Sequence, residues 1–72
     1  MILTARVLAD AMEAHATEHE SESNKIDALS RTMTKPGERR TKDELARKSR
    51  NLSQISYHLR SAIRAMRTAG LV

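Results

Sequence analysis

The sequence predicts an all-α fold: an antiparallel two-helix hairpin that dimerises into a four-helix bundle. Three observations predict it. Large apolar residues recur at heptad spacing in both halves of the chain, as they do along a helix packed lengthwise against others. A single strong breaker, Lys35-Pro36-Gly37-Glu38, separates two long stretches that lack both Gly and Pro. The halves also carry opposite charge: residues 1–34 have three Lys/Arg and six Asp/Glu, while residues 35–72 have ten and three.

The first predicted helix covers residues 4–34. Thr4 is its candidate N-cap, and Met1–Leu3 are a lead-in that can staple onto the first turn. Ala5, Leu8, Met12, His15, His19, Glu22, Ile26, Leu29 and Met33 fall alternately three and four apart, a seam that turns polar in its middle. Pro36 disfavours helix at the residue before it and Gly37 accepts a positive φ, so the turn is predicted at 35–40. Thr41-x-x-Glu44 reads as a capping box opening a second helix over 41–69, with Gly70 as its terminating residue. Leu45, Leu52, Leu59 and Met66 recur every seven residues there, with Ile55, Ala62 and Ala69 as a second register.

If the turn centres between Gly37 and Glu38, Met33 pairs with Leu45, Ile26 with Leu52, His19 with Leu59 and Met12 with Met66. The flanks then place Asp27 near Arg50, Glu20 near Tyr57 and His58, and Glu13 near Arg64. A two-helix hairpin cannot bury so wide an apolar arc by itself. A twofold homodimer is expected, with a core of Leu8, Met12, Ile26, Leu29, Leu45, Leu52, Ile55, Leu59, Ile63 and Met66.

Size and composition narrow the function. A chain of 72 residues buries only about 60% of the surface its unfolded form exposes, which again favours intersubunit burial. There is no Cys and one aromatic residue, Tyr57, so disulfides and thiolate metal sites are excluded. No apolar run approaches the ~18 residues of a membrane span, and the start lacks a signal-peptide core. The expected location is the cytoplasm. No nucleophile sits on a strained turn and no Gly-rich phosphate loop occurs, so no enzyme activity and no cofactor are expected. His15, His19 and Glu22 share one helical face with the spacing of a zinc site, but lack a third well-placed ligand. A polar layer that fixes register is the preferred reading, and no metal is expected.

Size and layout resemble the small helical-hairpin dimers that phages and plasmids encode as regulators. Examples are the Rop-type RNA-binding dimers and the phage anti-activators of quorum-sensing transcription factors. That resemblance implies a dimeric regulator that binds and inhibits a host regulatory protein. A second set of words, Glu44-Leu45-Ala46, Leu52-Ser53-Gln54, Ser56, His58-Leu59-Arg60 and Ala69-Gly70-Leu71-Val72, resembles winged-helix repressors. It implies a helix-turn-helix with Ser53, Gln54, Tyr57 and Arg60 in the major groove. The chain departs from that pattern, because only Arg50-Asn51 stands where the turn needs a residue tolerant of positive φ. The leucine heptad also continues in phase across it.

The basic flank is the strongest functional feature. Arg39, Arg40, Lys42 and Asp43 mark the hairpin tip, and Arg50, Tyr57, Arg60, Arg64 and Arg67 continue along the second helix. These are the expected partner-binding residues. A protein partner is preferred, nucleic acid is the alternative, and Glu13, Glu20 and Asp27 are expected to answer part of the charge.

Overall fold

Thr4 starts the first helix. Its backbone is extended, and its side-chain oxygen accepts a hydrogen bond from the Val7 N–H at 3.2 Å, satisfying one of the donors that a helix start leaves open. The structure is a computed structural model that describes residues 4–72, so the contact expected of Met1–Leu3 lies outside the described residues. α1 spans Ala5–Arg31 and α2 spans Arg39–Thr68, joined by a short 3₁₀ turn over Pro36–Glu38. Among the described residues all regular structure is helical, and the two helices pack along their length as a hairpin.

Both inner boundaries differ from the sequence reading. α1 stops at Arg31 rather than Thr34. The Thr32 hydroxyl donates to the Leu29 carbonyl at 2.7 Å, and Lys35 is extended (φ −79°, ψ 144°), as a residue before proline prefers to be. α2 starts at Arg39, so Thr41 lies inside it and does not cap it. Pro36 already has a helical φ, and the 3₁₀ turn runs directly into the helix. Glu38 reaches back, its carboxylate accepting from the Lys35 N–H at 3.5 Å, and so takes the part assigned to Glu44.

The far end of α2 closes as the sequence implies. Gly70 has φ +75°, the Gly70 N–H donates to the Arg67 carbonyl at 3.0 Å, and the Leu71 N–H donates to Met66 at 2.9 Å. This is a Schellman motif, and its left-handed residue is glycine because a Cβ would be strained there. α2 is helical straight through Arg50-Asn51, so the turn of a helix-turn-helix is not present.

The contact between the helices is built from small residues. Ala9, Ala16, Ser23 and Ser30 of α1 and Ser49, Ser56 and Ile63 of α2 are the buried residues, each series in steps of seven. Ser23 donates to the Ser49 carbonyl at 2.8 Å and Ser49 donates back to the Ser23 carbonyl at 3.0 Å. Ser53 adds a third hydroxyl 3.1 Å from Ser23. Reciprocal bonds from side chain to opposite backbone require the two backbones to approach closely, which only small side chains allow.

This pairing corrects the register. Ser23 meets Ser49, about one helical turn short of the expected facing level, because the turn centres nearer Lys35-Pro36 than Gly37-Glu38. The large apolar residues therefore pair one heptad earlier on α2 than expected. Counting from the serine contact, His19 lies nearly level with Leu52, Ile26 with Leu45 and Met12 with Leu59. Ile63 also changes place: at 3% exposure it is buried within the hairpin, beside the cleft that Ala9 lines, and it is not available to a second copy.

Ala16 is fully buried in this contact. Ala16→Leu should force the helices apart and cost ~1–3 kcal/mol, lowering the thermal midpoint measured by circular dichroism by roughly 5–15 °C. A midpoint unchanged by that substitution would show that the seam does not set the helix spacing.

Candidate functional site

The hairpin is one helix layer thick. Its principal extents are 52 × 23 × 13 Å and its radius of gyration is 16.3 Å, against about 11 Å for a compact domain of this length. It therefore has two broad faces, and they differ in chemistry.

One face is apolar. Met12 and Ile26 of α1, Met33 just past its end, and Leu45, Leu52, Leu59 and Met66 of α2 are only half-buried. Leu8 (41%), Leu29 (50%) and Ile55 (45%) are more exposed still. Among the described residues no large side chain is fully buried. The reason is the small-residue seam. It uses the positions of closest approach, four residues past each large apolar residue, and the larger side chains splay outward beside it. The accessible surface is 5684 Å², about 1,200 Å² more than expected for a folded monomer of 8.1 kDa.

The polar middle of this face is His15, His19 and Glu22. His15 and His19 stack, with ring centroids 6.3 Å apart and planes at 21°. His15 Nδ1 lies 3.9 Å from Glu18 Oε2. His19 is half-buried, and its Nδ1 is closed off without a hydrogen-bond partner. Among the described residues no group of three His, Cys, Asp or Glu is placed to hold a metal ion.

The opposite face is charged, and Arg60 is its centre. Its guanidinium bonds Glu20 through Nη1, lies 3.7 Å from Glu13 Oε1 through Nε, and donates to Ser56 Oγ at 3.1 Å. Glu13 and Glu20 are seven residues apart on α1, so one arginine spans two turns of the opposite helix. The hydrogen bond to Glu20, with the negative charges of Glu20 and Glu13 beside it, raises the Arg60 pKa above its ordinary value. The expected flank contacts are redistributed accordingly. Glu13 and Glu20 both go to Arg60 in place of Arg64 and Tyr57, and Asp27 pairs with Arg31 at 2.9 Å on its own helix in place of Arg50.

The sequence-predicted partner residues thus do not form one continuous stripe. Arg60 is engaged internally. Arg39, Arg40 and Asp43 lie together at the tip, lining a shallow open depression with Pro36, Gly37, Glu44 and Arg47. Arg40 is paired with Glu44 at 3.4 Å, and Lys42 is half-buried on the other side of the tip beside Met33 and Pro36. Arg67 lines a cleft at the far end with Arg6, Asp10 and Glu13, and Arg64 borders the outer surface beside Ser61 and Thr68. Tyr57 is 66% exposed and meets His58 edge-on. Among the described residues Arg39, Arg47, Arg50, Arg64 and Arg67 make no ion pair within 4 Å. Arg47 was missed by sequence reasoning, though its position seven residues after Arg40 was a signal. The small-residue stripe was missed as well, although Ala and Ser recur every seven residues.

No helix among the described residues is long and apolar enough to cross a membrane. Comparison with protein-family models, with curated proteins and with solved structures finds no match for this chain.

Arg60→Met keeps the apolar stem and removes the charge. The thermal midpoint should fall at low salt, and the difference from wild type should shrink at about 0.5 M salt, where exposed ion pairs are screened. A difference insensitive to salt would assign the effect to packing of the stem.

Proposed function

We propose that two hairpins pair through the apolar face into a homodimeric four-helix bundle, and that this dimer is a regulator that acts by binding a protein partner. The observation that carries the pairing is the partly exposed row of Leu, Ile and Met, with Leu8, Leu29 and Ile55 its most open members, on a molecule one layer thick. Stable domains close two layers around a core. The surplus surface, about 1,200 Å², is of the size that one partner buries in a stable protein–protein interface, typically about 800 Å². A second copy supplies an apolar face of matching shape and spacing, which makes it the natural occupant.

Pairing covers the apolar side and leaves the charged side outward on both copies. There Arg39, Arg40, Asp43 and Arg47 at the tip and Arg50, Tyr57 and Arg64 along α2 form the partner surface. Unpaired guanidinium groups around an exposed aromatic suit an acidic protein surface: the charges steer and orient, and the ring supplies a contact anchor. An anti-activator that occludes a host transcription factor is the specific form this reading takes, in the cytoplasm. The alternative is a nucleic-acid phosphate backbone, which the basic second half also suits.

Sedimentation equilibrium at micromolar concentration should give twice the mass of one chain, and Ile55→Glu should abolish that association. A folded wild-type monomer would refute the dimer. Arg50→Glu combined with Arg64→Glu should remove capture of a protein from host lysate while leaving helicity unchanged. Titrating duplex DNA and RNA at about 50 and 200 mM salt separates the alternative. Tight binding lost with a log–log slope near −0.9 per phosphate contact would replace the protein reading with the nucleic-acid one.

A further inference from the structure

His19 stands where its row calls for an apolar side chain. The same heptad position holds Met12 and Ile26 on α1 and Met33 just past its end, and Leu45, Leu52, Leu59 and Met66 are their counterparts on α2. His19 is half-buried on that face, and its Nδ1 has neither solvent nor a hydrogen-bond partner. It also sits near the middle of α1, which runs Ala5–Arg31. His15 lies one turn earlier, with its ring centroid 6.3 Å away.

We infer that His19 makes the pairing of two hairpins sensitive to acid, so that the dimer holds while the imidazole is neutral and separates when it is protonated. This rests on the homodimer proposed above. Closed dimers of identical chains are twofold symmetric. A twofold along the hairpin keeps equal residues level in the two copies. A twofold across the hairpin does so only for residues at its midpoint. His19 satisfies both conditions, so either arrangement brings the two His19 residues to one level, with the two His15 residues a turn away.

Pairing sets the sign. Nδ1 is already closed off within one hairpin, so its cost falls on both states, and the difference comes from the side of the ring that pairing would dry. A neutral imidazole needs one N–H, and it can leave Nδ1 as the bare ring nitrogen. An imidazolium carries a proton on both nitrogens, so protonation would place an N–H at Nδ1 with no acceptor and a charge on a face that pairing dries. The second copy adds a like charge at the same level. The charged neighbours do not reverse this. On α1, Glu18 lies beside His15, and Glu22 is exposed one turn beyond His19. On α2, the apolar face at this level carries Leu52, Ile55 and Leu59, with Lys48 a turn away, while Arg50 and His58 project from other sides of that helix. The paired copy brings the same set. In separated hairpins the His19 imidazolium keeps its exposed side in water, so proton uptake favours separation. A group that is neutral when buried and must charge on release contributes stability that is lost as pH falls through the imidazole range.

The test is sedimentation equilibrium at about pH 8 and about pH 5.5, above the range in which carboxylates titrate, with helicity followed by circular dichroism. The wild-type dissociation constant should rise at least ~10-fold at the lower pH. His19→Leu and His19→Gln should each hold the dimer with a constant that changes less than ~3-fold, while His15→Gln keeps the wild-type dependence. A wild-type dimer whose affinity is independent of pH, or tighter in acid, overturns the inference and leaves the dimer standing. A dependence retained in both His19 variants also overturns it. A wild-type monomer at about pH 8 overturns the dimer reading itself.

Discussion

The closeness of the two helices governs the rest of the molecule. Ala9, Ala16, Ser23 and Ser30 against Ser49, Ser56 and Ile63 let the backbones approach until serine hydroxyls reach carbonyls of the opposite helix. The contact is specific, because Ser23 and Ser49 each donate to the other's carbonyl and a large side chain would not fit. It is also poor in hydrophobic free energy. Alanine and serine remove little apolar area from water, and among the described residues Ile63 is the one large apolar residue that is buried. The hairpin thus holds its shape with small residues and leaves its large ones partly open to water. That exposure follows from how the one layer is assembled.

The same closeness explains the charged face. Helices packed this tightly bring flanking side chains within reach across the seam, and the long Arg60 side chain bridges Glu13 and Glu20 on the far helix. The acidic first half and basic second half are therefore not a simple ladder of matched pairs. One arginine takes two acids, Asp27 turns to Arg31, and the remaining arginines of α2 are left outward. Neutralisation between the helices is concentrated at Arg60, and basic charge remains outward at the tip and along α2.

The fold class and hairpin layout were legible in the sequence because the strongest signals were local. A lone Pro-Gly between two long stretches without breakers, Thr4 as a cap and Gly70 as a terminator each act within a few residues. The register and seam were less legible because they depend on which of two adjacent stripes approaches more closely. Leu45, Leu52 and Leu59 draw attention through hydrophobicity, yet the closest positions went to Ser49 and Ser56, where size decides. The turn was misplaced for a related reason. Thr41-x-x-Glu44 has the letters of a capping box, but Pro36 begins helical backbone earlier and Glu38 serves the same purpose. Among the binding candidates, Arg60 could not be told from Arg50 or Arg64 by type. Only its position across from Glu13 and Glu20 separates it from them.

A seven-residue repeat runs through three sides of this hairpin at once: small residues at the seam, large apolar residues beside it, and Asp43, Arg50, Tyr57 and Arg64 on the charged side of α2. That shared period has a consequence for how the sequence can vary. The seam and the apolar face are coupled, because the large residues stand directly beside the small ones that set the spacing. The charged side is tied to the first helix through the ion pairs of Arg60. Arg50, Tyr57 and Arg64 are exposed, so changes there leave the helix spacing as it is. Such a surface can vary without rebuilding the fold beneath it. His19 is the exception on the apolar side: a polar residue in the row that would otherwise be its most hydrophobic layer. Its closed-off ring nitrogen has no hydrogen bond to offset the loss of solvent, where leucine or methionine would bury no polar atom.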